Sequence, residues 1–152
     1  MSNFDYIIKA LPYKTPFLFV DDILQVSDDH IKGCYTLKTD EYFYEGHFPG
    51  QPITPGVIIT EIMVQIGLVS FGLHLLSSQK SLEPVLPVFT SSHVDYLAPS
   101  YPGDKLMVSS EKVYFRFGKL KCKISCFNEN TGKEVCRGEF SGMLIDANEF
   151  GR

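Results

Sequence analysis

The side chains best suited to acid–base chemistry are His47 and Glu61, which lie in very different sequence surroundings. His47 belongs to residues 41–56, EYFYEGHFPGQPITPG, where three glycines and three prolines disfavour regular helix and strand. Glu61 lies in a long apolar segment, where loss of solvation raises the pKa of a carboxyl group and favours its protonated form. A histidine, which titrates near neutral pH, and a protonated carboxylic acid form a matched base and acid. The pair therefore predicts general acid–base catalysis.

Residues near the start of the apolar segment can support such a pair. The backbone N–H of Gly56, followed by Val57, lies at a predicted helix start, where unpaired donors and the helix dipole favour an oxyanion. Gln65 lies four residues after Glu61 on the same helical face, so its amide can hydrogen-bond the carboxyl group and orient it. Each feature alone is also common in proteins for structural reasons. Their combination with His47 in a rigid loop favours a catalytic role over a purely structural one.

The predicted helix that carries Glu61 covers residues 55–78. It is apolar on nearly every side, which indicates burial on all faces. Residues 57–76 are just long enough to cross a bilayer. However, Glu61, Gln65 and His74 lie inside this stretch, and each polar side chain is unfavourable in hydrocarbon. We therefore predict a buried helix and no membrane span.

The rest of the chain is predicted to form one short helix and six strands. The helix is predicted over residues 4–10, a polar loop over 77–87, and strands over 17–27, 31–37, 88–97, 105–117, 120–127 and 134–145. An antiparallel sheet wrapped around one long central helix satisfies this order. The predicted fold class is therefore α+β, with residues 1–152 in a single domain. A second copy of the chain would cover the free edge of such a sheet.

Composition argues against several classes of function. The net charge is −4, and no two Lys or Arg residues are adjacent, so nucleic acid is not the expected partner. The cysteines (Cys34, Cys122, Cys126 and Cys136) form no CxxC pair and have no nearby histidines. We expect reduced, buried thiols, no metal site and a cytoplasmic location. The first residues lack a basic segment followed by a long apolar run, so no signal peptide is expected.

Three motif blocks resemble the FabZ-type β-hydroxyacyl–acyl carrier protein dehydratases, a family with the hot-dog fold. The most specific block comprises Gly46-His47-Phe48-Pro49-Gly50, Pro52-Ile53 and Pro55-Gly56-Val57, followed by Glu61, Met63 and Gln65. Weaker blocks are Leu11-Pro12 with Pro16-Phe17-Leu18 and Val20-Asp21, and Pro99 with Pro102-Gly103-Asp104. Their order and spacing cover most of residues 11–140.

The resemblance implies a role for individual residues. It implies that His47 is the catalytic base and that Glu61 of a second chain is the general acid, so that two protomers share each site. It also implies that the amide of Gly56, beside Val57, polarises a thioester carbonyl, and that the carbonyl of Ile53 holds the other nitrogen of His47. The implied reaction is loss of water from a (3R)-3-hydroxyacyl thioester to give a trans-2-enoyl thioester. No metal and no bound cofactor are implied.

The implied partners are acyl carrier protein and a second copy of the chain, in a homodimer or a larger dimer-based oligomer, with a hetero-oligomer as the alternative. The implied setting is fatty-acid synthesis or related polyene or polyketide synthesis. Two other functions fit the same fold: an acyl thioesterase, in which water attacks the carbonyl, and a non-catalytic acyl-binding subunit. A histidine held opposite an acid fits elimination better than hydrolysis, and a degenerate subunit need not keep either residue.

This chain departs from the family in its first block. Where the family commonly has Leu-Pro-His-Arg-Tyr-Pro-Phe, the middle three positions are Tyr13, Lys14 and Thr15.

Overall fold

The computed structural model describes residues 3–77 and 85–150 of the chain. The helices are α1 (Asp5–Ala10) and α2 (Gly56–Ser77), and short 3-10 turns lie at Tyr42–Tyr44 and Ala147–Phe150. The strands are β1 (Asp22–Val26), β2 (His30–Thr36), β3 (Val85–Tyr96), β4 (Lys105–Arg116), β5 (Lys119–Asn128) and β6 (Glu134–Asp146). The strands form one six-stranded antiparallel sheet in the order β1-β2-β4-β5-β6-β3. This is the predicted α+β architecture, with β1 and β3 at the two edges.

The long helix α2 forms the core that the sheet wraps around. It contacts β2, β4, β5 and β6, and the side chains of Ile62, Met63, Ile66 and Phe71 are fully buried. The helix α2 is long and apolar enough to cross a membrane, but most of its apolar stretch is buried inside the protein. It is therefore a core helix, as the polar residues within it predict.

The predicted start of α2 is wrong by one residue. Pro55 has an extended backbone (φ −57°, ψ 136°), and its carbonyl accepts hydrogen bonds from the N–H groups of Ile58 and Ile59. Pro55 is thus the residue before the helix, and Gly56 is the first helical residue. The predicted last residue, Ser78, lies outside the described residues.

The predicted first strand is wrong over residues 17–21, because β1 begins at Asp22. The N–H of Phe19 donates to the side-chain oxygen of Gln65 (2.8 Å), so it joins no strand. The N–H of Phe19 thus pairs with a side chain distant in sequence and not with a neighbouring strand. An apolar sequence pattern cannot reveal such a partner. The irregular structure predicted over residues 41–56 is also interrupted, by the single 3-10 turn at Tyr42–Tyr44.

Strand β3 starts earlier than the predicted residue 88. Of the predicted loop over residues 77–87, residues 78–84 lie outside the described residues, and residues 85–87 belong to β3. Pro87 is paired with Leu144 of β6. A proline is tolerated there because β3 is an edge strand and one side of its backbone needs no ladder donors.

The middle of α2 is π-helical over Gln65–Ser70, a feature that the sequence pattern does not predict. Two hydroxyl groups donate to its carbonyl oxygens: Ser70 to Gln65 (2.6 Å) and Ser110 of β4 to Gly67 (2.8 Å). Gly67 also allows close approach to the sheet, since a Cβ there would lie 2.7 Å from Cδ1 of Ile124. The helix is therefore locked to the sheet just beyond Glu61.

Replacing Gly67 with alanine should destabilise the fold, because the new methyl group would overlap Ile124 and lie 3.1 Å from Cβ of Ser110, both buried. Overpacking typically destabilises a core by about 1–3 kcal/mol. Alanine stabilises a helix relative to glycine by about 1 kcal/mol, which offsets only part of that loss. We expect a net loss of up to about 2 kcal/mol in the free energy of unfolding, measured by chemical denaturation. Gly46→Ala is the control, since a Cβ there meets no atom within 4 Å. Equal stability of the two variants would contradict this packing.

Candidate active site

The loop that contains His47 holds its ring in one orientation. Nδ1 of His47 lies 2.9 Å from the carbonyl oxygen of Ile53. Because a carbonyl oxygen can only accept, Nδ1 carries the hydrogen, and in the neutral ring Nε2 keeps a free lone pair. The N–H of Ile53 donates back to the carbonyl of His47 (2.9 Å), and the imidazole stacks on Phe48 with ring centroids 4.2 Å apart across a cis peptide bond. The loop thus presents Nε2 as a proton acceptor.

His47 opens into a cavity beside the start of α2. The cavity is lined by His47, Phe48, Ile53, Thr54, Gly56, Ile59, Tyr96, Leu97, Ala98 and Pro99. As the first helical residue, Gly56 has an N–H without a partner inside the helix. A Cβ at Gly56 would lie 2.9 Å from the ring of Tyr96, so glycine permits this close contact. The side chain of Val57 is 73% exposed and is not among the lining residues.

Glu61, in the second turn of α2, lines a different cavity. Its lining residues are Tyr13, Glu61, Val64, Leu68, Val69, Gly72, Pro87, Val88, Phe89, Leu120, Gly142, Met143 and Leu144. Apart from Tyr13 and Glu61, these residues are apolar or glycine. Burial raises the pKa of the Glu61 carboxyl group, and a hydrogen bond from Gln65 partly opposes this shift. The surroundings therefore favour a carboxylic acid that retains its proton.

The side chain of Gln65 is fully buried and has a fixed orientation. Its Oε1 accepts from the N–H of Phe19 (2.8 Å), and its Nε2 donates to the carbonyl of Phe17 (2.9 Å) and to Oε1 of Glu61 (3.0 Å). Because the N–H of Phe19 can only donate and the carbonyl of Phe17 can only accept, the amide cannot be reversed. Oε1 of Glu61 therefore accepts a hydrogen bond, and we infer that the proton of the neutral acid lies on Oε2.

The structure groups the predicted site residues into two sets. His47, Ile53 and Gly56 line one cavity, whereas Glu61 lines the other and is hydrogen-bonded to Gln65. The two contacts expected from the sequence, Ile53 to His47 and Gln65 to Glu61, are both present.

Two tyrosines that line these cavities were not among the predicted site residues. Tyr13 lines the Glu61 cavity, and Tyr96 packs against Gly56 in the His47 cavity. For Tyr13 there was a signal, namely the departure from the histidine of the family motif. We find no sequence signal for Tyr96.

Other reactive groups offer no alternative centre in the described part of the chain. No group of three or more His, Cys, Asp or Glu side chains there could hold a metal ion. The four cysteines are free and buried, as expected. Burial raises the pKa of Cys122 and that of Cys136 to about 11, so neither thiol is ionised at neutral pH.

Solved structures with a similar fold include a dehydratase and a thioesterase. The dehydratase heterocomplex ApeI:P from Xenorhabdus doucetiae matches with a TM-score of 0.76 and 16% identity, covering 94% of this chain and 93% of that chain. A hypothetical thioesterase with coenzyme A from Streptococcus pneumoniae matches with a TM-score of 0.60 and 16% identity, covering 95% of each chain. At this identity the matches show the fold alone, which is the hot-dog fold.

Sequence comparison then gives the family. The sequence model of the FabA-like domain matches residues 11–136. A 3-hydroxyacyl-[acyl-carrier-protein] dehydratase FabZ from Caldicellulosiruptor saccharolyticus is 33% identical over 141 residues, covering 91% of this chain and 96% of the relative. Another FabZ, from Nitratidesulfovibrio vulgaris, is 40% identical over 120 residues, covering 78% of this chain and 73% of the relative. The chain belongs to the FabA-like family.

The buried carboxyl group of Glu61 should make stability depend on pH. Burial raises its pKa in the folded protein above the ordinary value of 4.5, so the folded state holds the proton more tightly than the unfolded chain. The free energy of unfolding should therefore fall as pH rises from the unfolded pKa through the folded pKa. Glu61→Gln keeps the shape of the neutral acid and cannot ionise. Relative to wild type, it should gain stability between about pH 4 and about pH 8.

Denaturant unfolding at both pH values measures this difference. Glu111→Gln, which removes an exposed carboxylate on β4, is the matched control. A stability difference between wild type and Glu61→Gln that is constant with pH would contradict a raised pKa for Glu61.

Proposed function

We propose that this protein removes water from (3R)-3-hydroxyacyl thioesters carried by acyl carrier protein and forms trans-2-enoyl thioesters. The proposal depends on two features of the site. The hydrogen bond at Nδ1 leaves Nε2 of His47 free to act as a base, and burial favours the acid form of Glu61. The names of the relatives at 33% and 40% identity support the same reaction. The product would serve fatty-acid synthesis or related polyene or polyketide synthesis.

In the proposed reaction, Nε2 of His47 takes a proton from carbon 2 of the substrate. The electrons of that bond form the double bond between carbons 2 and 3 as the bond from carbon 3 to oxygen breaks. Glu61 gives its proton to the departing oxygen, which leaves as water. The N–H of Gly56 donates to the thioester oxygen while negative charge develops there, and one such donor is typically worth about 3–4 kcal/mol. Return of the proton from His47 to Glu61 restores the site.

The positions of the two cavities support a site shared between two chains. Both border β3: the His47 cavity includes Tyr96 at its end, and the Glu61 cavity includes Val88 near its start. β3 is an edge strand of the described sheet. Antiparallel pairing of two copies along β3 would place the end of each strand beside the start of the other. The His47 cavity of one protomer would then approach the Glu61 cavity of its partner.

A homodimer is therefore part of the proposal, and a related chain on the same edge would give a hetero-oligomer instead. The buried, unpaired cysteines support a reducing compartment, so we place the activity in the cytoplasm. The proposed substrate-bearing partner is acyl carrier protein.

A single assay separates this function from the two alternatives. Purified protein is mixed with a 3-hydroxyacyl thioester of acyl carrier protein, and enoyl absorbance and free thiol are both followed. We expect the enoyl product without thiol release. Thiol release would instead identify a thioesterase, and binding without either product would identify a non-catalytic subunit.

His47→Ala and Glu61→Ala should each lower the rate of dehydration by about 10²–10⁴-fold, because each removes one proton-transfer group. In a mixed dimer of the two variants, one of the two sites keeps both residues. Random exchange makes half of the dimers mixed, so the mixture should recover about a quarter of wild-type activity. Native mass spectrometry confirms the mixed dimers. Mixed dimers without recovered activity would contradict the shared site.

A further inference from the structure

Tyr13 supplies a second polar group to the Glu61 cavity and has no role in the reaction described above. Among the described lining residues, only Tyr13 and Glu61 carry polar side chains. Tyr13 is half-buried, and its ring lies beside that of Phe17, with centroids 6.3 Å apart. The carbonyl of Phe17 accepts a hydrogen bond from Gln65. The segment whose carbonyl holds the amide of Gln65 therefore also places Tyr13 in the cavity that Glu61 lines.

The phenol of Tyr13 is a hydrogen-bond donor that does not release its proton. Burial, and next the negative charge that Glu61 carries once it has ionised, raise the pKa of Tyr13 above its ordinary value of 10.0. Both side chains line the same cavity. A neutral phenol offers one O–H donor and an acceptor oxygen. In an otherwise apolar cavity, such a group favours a polar atom of the substrate over hydrocarbon.

We propose that the hydroxyl of Tyr13 donates a hydrogen bond to the 3-hydroxyl oxygen of the substrate, beside the carboxyl group of Glu61. This inference rests on the proposed dehydration and names a further residue that contacts the reacting atoms. As the bond from carbon 3 to oxygen breaks, Glu61 transfers its proton to that oxygen. Tyr13 keeps its own proton and stabilises the negative charge that develops on the oxygen. The same contact would favour acyl chains with a hydroxyl group at carbon 3 over saturated chains.

Tyr13→Phe tests this contact, because it removes only the hydroxyl oxygen. The rate constant kcat/KM for dehydration should fall about tenfold, as expected for loss of one hydrogen bond to the substrate. The inhibition constant of a saturated acyl thioester of equal chain length should stay within about twofold, because that ligand has no 3-hydroxyl group. Tyr114→Phe is the matched control, since Tyr114 is also half-buried but packs under the guanidinium group of Arg116.

A second measurement separates binding from turnover. In a Glu61→Gln background, the 3-hydroxyacyl thioester binds without rapid reaction, so its dissociation constant can be measured directly. Adding Tyr13→Phe should weaken binding of the 3-hydroxyacyl thioester and leave binding of the saturated thioester unchanged. A structural role for Tyr13 would instead weaken both.

The possible results are distinguishable. Wild-type kinetics for Tyr13→Phe, or a loss of affinity that the saturated thioester shares, would overturn the role of Tyr13 and leave the proposed dehydration intact. Failure of the wild-type protein to dehydrate any 3-hydroxyacyl thioester would overturn the proposed function, and this inference with it.

Discussion

The site depends on the side-chain amide of Gln65. This one buried group joins three parts of the chain: the helix α2, the segment that contains Phe17 and Phe19, and the carboxyl group of Glu61. Its orientation is fixed because both backbone partners have a fixed hydrogen-bonding sense. The amide therefore acts at once as a structural cross-link and as the group that decides which oxygen of Glu61 carries the proton. A buried polar group with these partners satisfied stabilises the fold, and an unsatisfied one would destabilise it.

Two opposing effects act on the pKa of Glu61, and the fold makes the effect of burial the larger one. The hydrogen bond from Gln65 lowers the pKa of Glu61, whereas burial along the core helix raises it and is the larger effect. The apolar side chains that make α2 resemble a membrane span also line the cavity around Glu61. They therefore favour the protonated form of its carboxyl group. His47 contrasts with Glu61, because its loop fixes Nδ1 against the carbonyl of Ile53 and leaves Nε2 to accept a proton. Burial along the helix therefore sets the pKa of Glu61, and loop geometry separately sets the orientation of the His47 ring.

The sequence predicted those features whose causes are local. The spacing of Glu61 and Gln65 on one helical face, the helix itself and the hairpins of the second half all depend on residues close in the chain. Errors arose where distant parts meet. The sequence around Phe19 has the apolar pattern of a strand, but the N–H of Phe19 donates to the side chain of Gln65 in α2. Pro87 was predicted to lie in a loop because it is a proline, but it lies in the edge strand β3. The π-helical turn and the approach of Tyr96 to Gly56 depend on packing against the sheet, which a single sequence does not encode in any local pattern.

Burial should make Glu61 hold its proton more tightly than an ordinary glutamate does. The most direct measurement is a carbon-13 NMR titration of the side-chain carboxyl groups in the folded wild-type protein, with the Glu61 signal assigned by its absence in Glu61→Gln. We expect a titration midpoint for Glu61 above the ordinary value of 4.5. We also expect a further upward shift in Gln65→Leu, because that variant lacks the hydrogen bond to the carboxylate. A midpoint at or below the ordinary value in the wild-type protein would show that burial does not raise the pKa of Glu61.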